Sequence, residues 1–302
     1  MPPAILPPVQ DGPCPTFLAI GHVTRDLLAG EAFTLGGTVT FAALTAYHLG
    51  LASALVTCAD ETLLTQLPTF LPQIGLATRA TPLATAFENR YTEGFRVQYL
   101  RARATRLELA DIPPNWLAAP ITLLGPLAQE IPLALVQSLP RSPGSLLAAT
   151  PQGWLRRWDA DGRVWPTPWE YAAEILPLLD VLILSHDDLL PFAAGKRDAA
   201  DAMLAEWSMH VPLLVATDGR HGATLFEHGA TTRFPPYPVV EVDPTGAGDV
   251  FAAAFLTHLY RHNDAHAAMN FANCAASLSI EHPGTSGIPT LEQIQARLRP
   301  LS

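Results

Sequence analysis

"DPTGAGDVFAAAF" occupies residues 243–255. Three small residues, Gly246, Ala247 and Gly248, stand directly before a carboxylate, Asp249, and an apolar run of helical character follows. Glycines let backbone N–H groups converge without interference from β-carbons. Those donors, together with the positive end of a helix that begins there, make a site for an anion. In open parallel sheets ligands bind beyond the carboxyl ends of strands, often at such a helix start. The approaching group is therefore read as a phosphate. A carboxylate beside a bound phosphate would repel it, so Asp249 is better read as a base for a hydroxyl attacking phosphorus. The bland reading is a turn closed by a capping aspartate.

Outward from this stretch the chain alternates short apolar runs with helical segments. "TFLAIG" (16–21), "SALVTC" (53–58), "ITLLG" (121–125), "SLLAAT" (145–150), "VLILS" (181–185) and "PLLVATDG" (212–219) are apolar runs ended by small or polar residues. "TVTFAALTAYHLG" (38–50) has helical spacing and ends on Gly50, a plausible C′ residue. Near-continuous apolar strands separated by helices predict a parallel sheet covered on both faces. One stretch departs from this: "TAFENRYTEGFRVQYLRARA" (85–104) alternates like a hairpin. Phe87, Asn89 and Tyr91, then Phe95, Val97 and Tyr99, are expected on one apolar face. Residues 26–36 and 86–104 together are expected to form a small β lid on an α/β/α three-layer sandwich, with residues 1–302 as a single domain.

Composition bounds the function. Hydrophobic residues make up 49% of the 302, charged residues 15%, and the formal charge is −10. That balance supplies a large core and argues against a sequence-independent grip on nucleic acid, which needs a basic surface. No apolar run reaches the ~18–20 residues of a bilayer span. The start, "MPPAILPPVQDGPCP", has no basic region followed by a long apolar one, and its prolines predict an irregular lead-in. Cys14, Cys58 and Cys274 are far apart, fit neither a disulfide framework nor a zinc cluster, and are expected to pack as small residues in a reducing cytoplasm. Lys196 is the chain's one lysine and no G-x-x-x-x-G-K-[ST] occurs, so phosphate chemistry here relies on backbone amides, metal and arginine rather than a P-loop.

Asp243-Pro244-Thr245-Gly246-Ala247-Gly248-Asp249 resembles the "D-T-x-G-A-G-D" signature of the ribokinase-like (PfkB) carbohydrate kinases. The resemblance runs along nearly the whole chain. "AIGHVTRDLL" (19–28) is similar to the family's first strand and its substrate-binding aspartate, here Asp26. "LGGTVTFAALTAYHLG" (35–50) looks like its first signature, a Gly36-Gly37 pair opening a helix. "VATDGRHGATLF" (215–226) resembles its nucleotide strand-turn, and "AASLSIEHPGTSGIPT" (275–290) its C-terminal nucleotide loop.

The resemblance implies transfer of the ATP γ-phosphoryl group to a hydroxyl of a sugar or polyol, with Mg²⁺. It implies Asp249 as base and the amides of Ala247, Gly248 and Asp249 as the anion hole. Asp26, Gly36, Gly37, Phe41, Gln152 and Arg156 are the implied substrate-side residues. Thr217, Gly219, Gly222, Asn273 and Gly284 are the implied nucleotide-side residues. Some members bind a monovalent cation such as K⁺, for which Asp243 and Thr245 are the candidates. The chain departs from the family at two places. Phe41 stands near the family's substrate-binding Asn, which disfavours ribose. "SHDD" (185–188) replaces N-x-x-E, leaving Asp188 to hold a metal through water. "GGTVTF" with "PQGWLR" resembles members grouped with inositol or other polyol kinases. A nucleoside or vitamin-alcohol kinase and a non-catalytic ligand-binding homologue are the rival readings. The family's lid often seals a homodimer, so a dimer is an expectation too.

Other features carry two readings each. The lid arginines 90, 96, 101 and 103 either grip a phosphorylated sugar or keep an edge hairpin soluble. His258, His262 and His266 mimic a metal face, but Asn263-Asp264 interrupts the helix and favours surface or packing roles. One of Asp187 and Asp188 is expected to cap the next helix. Arg156 either meets an anionic group or stacks on Trp154 or Trp158. His22 either lines the cleft or fills it.

Overall fold

In Phe17–Ile20 every side chain is buried and neighbours face opposite ways: Phe17 and Ala19 join one apolar cluster, Leu18 and Ile20 another. A strand with two dry faces lies between two helical layers, because each face needs cover. The structure, a computed structural model, describes residues 12–28, 32–92 and 95–299. The proline-rich lead-in up to Asp11, the tip Glu93-Gly94 of the expected hairpin, and residues 29–31 of the expected lid lie outside the described residues.

Among the described residues a nine-stranded sheet runs in the order Ala230–Phe234, Ala223–Glu227, Leu213–Thr217, Val181–Ser185, Leu146–Ala149, Ile121–Leu124, Phe17–Ile20, Ser53–Ala59, Gly75–Ala80. Pairing is parallel from Leu213–Thr217 to Gly75–Ala80, and the two strands at the other edge are antiparallel. Thr38–His48, Glu61–Phe70, Ala247–His262 and Ala265–Ser279 contribute to the core on one face. Leu133–Ser138, Ala172–Ile175 and Arg197–Trp207 contribute on the other. This is the expected α/β/α sandwich. Gly50 follows the helix Thr38–His48 at φ 82°, the left-handed geometry expected of a helix-terminating glycine.

Ala247–His262 is the central helix. Its face against the sheet carries Phe251 and Phe255, fully buried and stacked 6.4 Å apart. Burying a side chain of that size contributes ~1.5–3 kcal/mol. Asn263, in the left-handed region at φ 51°, ends the helix, and the Asp264 carboxylate accepts from Ala267 N at 2.9 Å to start the next. The break expected at Asn263-Asp264 is there.

The lid is a separate sheet ordered Phe33–Gly36, Thr24–Leu27, Thr85–Thr92, Phe95–Ala102. Its register corrects the expected single apolar face. Phe87 pairs with Leu100 and Asn89 with Gln98, whereas Glu88 pairs with Tyr99 and Arg90 with Val97. Side chains alternate along a strand. Phe87 and Tyr99 therefore lie on opposite faces, and the register shifts between Ala86 and Phe87. Phe87 and Leu100 form a small core with Leu127 and Ala128.

The three cysteines are free thiols. Cys58 and Cys274 are buried as expected. Cys14 is exposed, a correction to its reading as a packing residue. No helix among the described residues is long and apolar enough to cross a membrane.

Candidate active site

Gly246 sits before the central helix with φ 77° and ψ 0°, a left-handed geometry that costs a side-chain-bearing residue energy. It also has no room for a β-carbon, which would collide with the Phe41 ring. Phe41, read from the sequence as a substrate contact, is 3% exposed and lies in the core under this turn. It shapes the turn from below. Asp249 follows in the first helical turn, with Ala247, Gly248 and the helix start around it. An added β-carbon at Gly248 meets nothing within 4 Å, so this side of the turn is open.

Four groups act on the half-buried Asp249. Burial pushes its carboxyl up to about 6; the Thr38 hydroxyl hydrogen bond and the Arg156 guanidinium pull it down, while the carboxylates of Asp188 and Asp26 push it up. The expected site residues Asp26, Arg156 and Asp188 are thus gathered round the expected base. Thr38 was not anticipated. Its only signal is a hydroxyl residue directly after the Gly36-Gly37 pair, at the first position of its helix.

Asp188 faces the same cleft. Its carboxylate accepts from Ser185 N at 3.0 Å, while the Ser185 hydroxyl accepts from Asp187 N at 3.2 Å, a reciprocal cap on the helix His186–Leu189. Asp188 is thus the capping aspartate of the pair. Burial raises its carboxyl above the usual range, against the Ser185 amide, Arg156 and a hydrogen bond from Gln152. Gln152 and Arg156 therefore converge on the cleft. Trp154 stacks on Trp169 at 4.9 Å, and the ring of Trp158 takes the Arg103 guanidinium. Among the described residues no group of three acidic, histidine or cysteine side chains is arranged to cage a metal.

Thr24 donates to Asp26 Oδ1 at 3.2 Å, and Gly36 leaves the gap its other carboxylate oxygen occupies. Gly37, at φ 98°, crosses the His22 carbonyl: a β-carbon there would lie 2.5 Å from His22 O. Both glycines let backbone and carboxylate approach closely.

On the other side of the turn, Asp243 ties two loops. Its Oδ1 accepts from Thr245 N and its Oδ2 from Gly284 N, both at 2.9 Å. Burial would raise its carboxyl, but the Thr245 hydroxyl and the Thr245 and Gly284 amides hold it below the usual range. Thr217 and Gly219 lie at the end of Leu213–Thr217, and Thr217 Oγ1 donates to Leu184 O at 3.3 Å. Gly222 is buried at φ 93° against the Phe234 carbonyl, and Asn273 Nδ2 donates to Pro235 O at 3.4 Å. Gly222 thus packs its turn against the edge strand, and Asn273 ties the helix Ala265–Ser279 to the chain just after that strand.

His22 is buried and bonded at the root of the lid. Its Nδ1 accepts from the Thr85 hydroxyl at 2.7 Å and its Nε2 is 2.9 Å from Thr105 O. Burial lowers its basicity despite nearby Glu130. Glu130, fully buried and not anticipated, accepts from the amides of His22, Leu127 and Ala128. Beside His22, burial pushes the Cys58 thiol up to about 11, so it offers no thiolate near neutral pH. Lid Arg90 and Arg101 pair with Glu88 and stack on Tyr99, while Arg103 donates to Ala128 O and Gln129 O. His258 stacks on His262 at 4.3 Å, and His266, on the next helix, faces Glu227.

Residues 159–291, which contain the glycine turn and its aspartate, match the model of the pfkB family carbohydrate kinases. The match covers that stretch, less than half of the chain. The chain is 41% identical to the ribokinase of Bacillus subtilis (strain 168) over 86 residues, 28% of this chain and 29% of the relative. The chain spans 29%, 40% and 49% of the lengths of three curated relatives it matches. A pyrophosphate-dependent kinase in the ribokinase family, solved with a pyrophosphate analog and myo-inositol, superimposes with a TM-score of 0.79 at 22% identity, covering 93% of this chain and 100% of that one. Ribokinase of Arabidopsis thaliana, solved with ribose and ATP, superimposes with a TM-score of 0.72 at 18% identity, covering 95% and 100%. At such identities the likeness is one of fold, and the protein has the ribokinase fold: a large, mostly parallel sheet with a small separate lid.

Proposed function

We propose that this protein transfers the γ-phosphoryl group of ATP to a hydroxyl of a sugar or polyol, with Asp249 as general base. One observation carries the reading. A carboxyl pushed up to about 6 stands in the first turn of a helix whose start is an open glycine corner. A base is most useful when its pKa lies near the working pH, and helix-start amides are suited to a terminal phosphate. The amides of Ala247, Gly248 and Asp249 neutralise charge on the transferring group, and Arg156 adds a positive charge beside it. The acceptor lies toward Asp26, Gly36 and Gly37, with the lid over it excluding water. Asp26 accepts hydrogen bonds from acceptor hydroxyls and orients the attacking one toward Asp249.

Mg²⁺ suits Asp188. An ion that takes most of its ligands from phosphates and water needs only one or two protein carboxylates. Asp188, flanked by Asp187, would hold it through water, and the ion would neutralise donor phosphate charge. A monovalent cation would take carbonyl oxygens from the Asp243–Thr245 and C-terminal loops, which Asp243 draws together. Gly219 and Gly284 border the donor side.

The polyol arm is favoured over ribose by the burial of Phe41, which leaves the family's asparagine without a counterpart at the acceptor. An ADP-release assay against ribose, fructose, myo-inositol, a nucleoside and a pyridoxine-like alcohol tests the reading, run in parallel with pyrophosphate as donor and phosphate release as readout. Asp249→Asn is expected to keep the fold and donor binding and to lose turnover by ~10²–10⁴-fold. Wild-type-like turnover in that variant would refute the base assignment. Ligand binding without phosphoryl transfer across the panel would make this a non-catalytic member.

A further inference from the structure

Beside the Asp249 cleft the surface opens into a second cavity of about 290 Å³. It shares Gln152, Arg156 and Asp188 with the cleft, but Asp249, Asp26 and the glycine turn are not among its walls. Its outer wall is a short hairpin, Arg156–Trp158 paired with Val164–Pro166, which contributes Arg163 and Trp165. Its roof is Val97 and Gln98 of the lid.

These walls are held in place. Leu100 N donates to Gly162 O at 2.7 Å, Tyr99 bridges Arg163 backbone to backbone, and Arg101 donates to Asp161 O at 3.0 Å. Gly162, at φ 82°, has no room for a β-carbon against the Leu100 carbonyl. The hairpin is thereby stitched to the lid. Trp165 Nε1 donates to Asp159 Oδ2 at 3.0 Å, and the Arg163 guanidinium lies 4.1 Å from the indole centroid. Asp159 thus anchors the indole, and the guanidinium stacks on it.

The chemistry of the walls selects the occupant. Arg156 and Arg163 face a cavity that Asp187 also lines, so either sign of ligand charge meets a like charge even with Asp188 given to the metal. A hydroxyl both donates and accepts, and uses guanidinium, carboxylate and the Gln98 and Gln152 amides alike. Trp165 and Val164 supply apolar surface for the C–H face of a ring, the usual pairing of a mostly apolar pocket with a few polar groups.

We infer that this cavity is an acceptor subsite for a second, uncharged, hydroxyl-bearing ring joined to the polyol or sugar that is phosphorylated, with Arg163 and Trp165 as its specificity-determining side chains. The inference rests on the proposed phosphotransfer, because Asp249 sets which end of the acceptor faces the donor.

The test compares free acceptors with their O-glycosides: myo-inositol against an O-glucosyl-myo-inositol, and fructose against sucrose. The wild type is expected to have a higher kcat/KM on the O-glycoside. Trp165→Ala and Arg163→Ala are each expected to lower the preference ratio, glycoside over free acceptor, at least tenfold. Ligand-observed NMR supplies a readout independent of turnover: saturation transfer from protein to the second ring of the glycoside, lost in Trp165→Ala. A wild type that phosphorylates only free acceptors, or variants that leave the ratio and the saturation transfer unchanged, overturns the subsite. Saturation transfer to the second ring without phosphorylation of any acceptor sinks the kinase reading and leaves the subsite standing.

Discussion

Phe41 and Gly246 touch across more than two hundred residues of sequence: the phenyl ring fills the space where a β-carbon of residue 246 would stand. An aromatic core residue thus sets the height of the glycine corner. Gly246→Ala meets both the positive φ of 77° and the ring, so it costs ~1–3 kcal/mol in strain and lifts the corner's amides away from the phosphate. Turnover should drop at least tenfold, while Phe41→Leu, which relieves the ring, should restore part of it in the double variant. Equal losses in the single and double variants would show that the contact does not set the corner.

The pH profile should follow Asp249. With its carboxyl at about 6, the base is ionised above that pH, so log kcat/KM should fall with unit slope below about pH 6. The stability effect has the opposite sign. A carboxyl raised above its unfolded value of ~3.9 binds more protons in the folded state between the two values, so its contribution weakens as pH rises from about 4 to 6. Asp249→Asn should therefore raise Tm at pH 7 while lowering turnover by ~10²–10⁴-fold. A lower Tm would contradict the burial that raises this group.

Arg156 and Asp188 should move that acid limb in opposite directions. Arg156 pulls the Asp249 carboxyl down and Asp188 pushes it up. Arg156→Met should shift the limb to higher pH, and Asp188→Asn to lower pH, measured as kcat/KM between pH 5 and 8. Parallel shifts would mean that the limb belongs to another group.

Asp243 should matter more for the donor than for the acceptor. Asp243→Ala leaves the amides of Thr245 and Gly284 without their shared carboxylate. Hydrogen bonds to a charged group contribute ~1.5–3 kcal/mol each. The variant should raise KM for the donor several-fold, with little change for the acceptor, and speed hydrogen exchange at Gly284. Unchanged exchange there would show that the loop is held by other contacts.

Much of the fold was legible because both-sided burial leaves a plain mark: "FLAI" and "VLIL" admit no polar residue. The corner at 246–249 was legible because a glycine pair before an acid has few other uses. What stayed hidden depends on register and distance. The register that pairs Phe87 with Leu100 and Thr92 with Phe95 decides which lid residues share a face, and alternation within each strand does not reveal it. Thr38 and Phe41 fall on successive turns of one helix, and nothing local tells that one hydroxyl reaches Asp249 while one ring lies under Gly246. The hairpin at 156–166 did carry a signal, Asp161-Gly162 between two aromatic-rich segments, which is a hairpin turn pattern.

Both legs of the lid hairpin leave the body of the protein at a single imidazole, since Thr85 at the start of one leg and Thr105 just past the end of the other bond to opposite nitrogens of His22. One small ring thus pins both strands of the arm at its base, alongside the bonds from Arg103 to Ala128 O and Gln129 O.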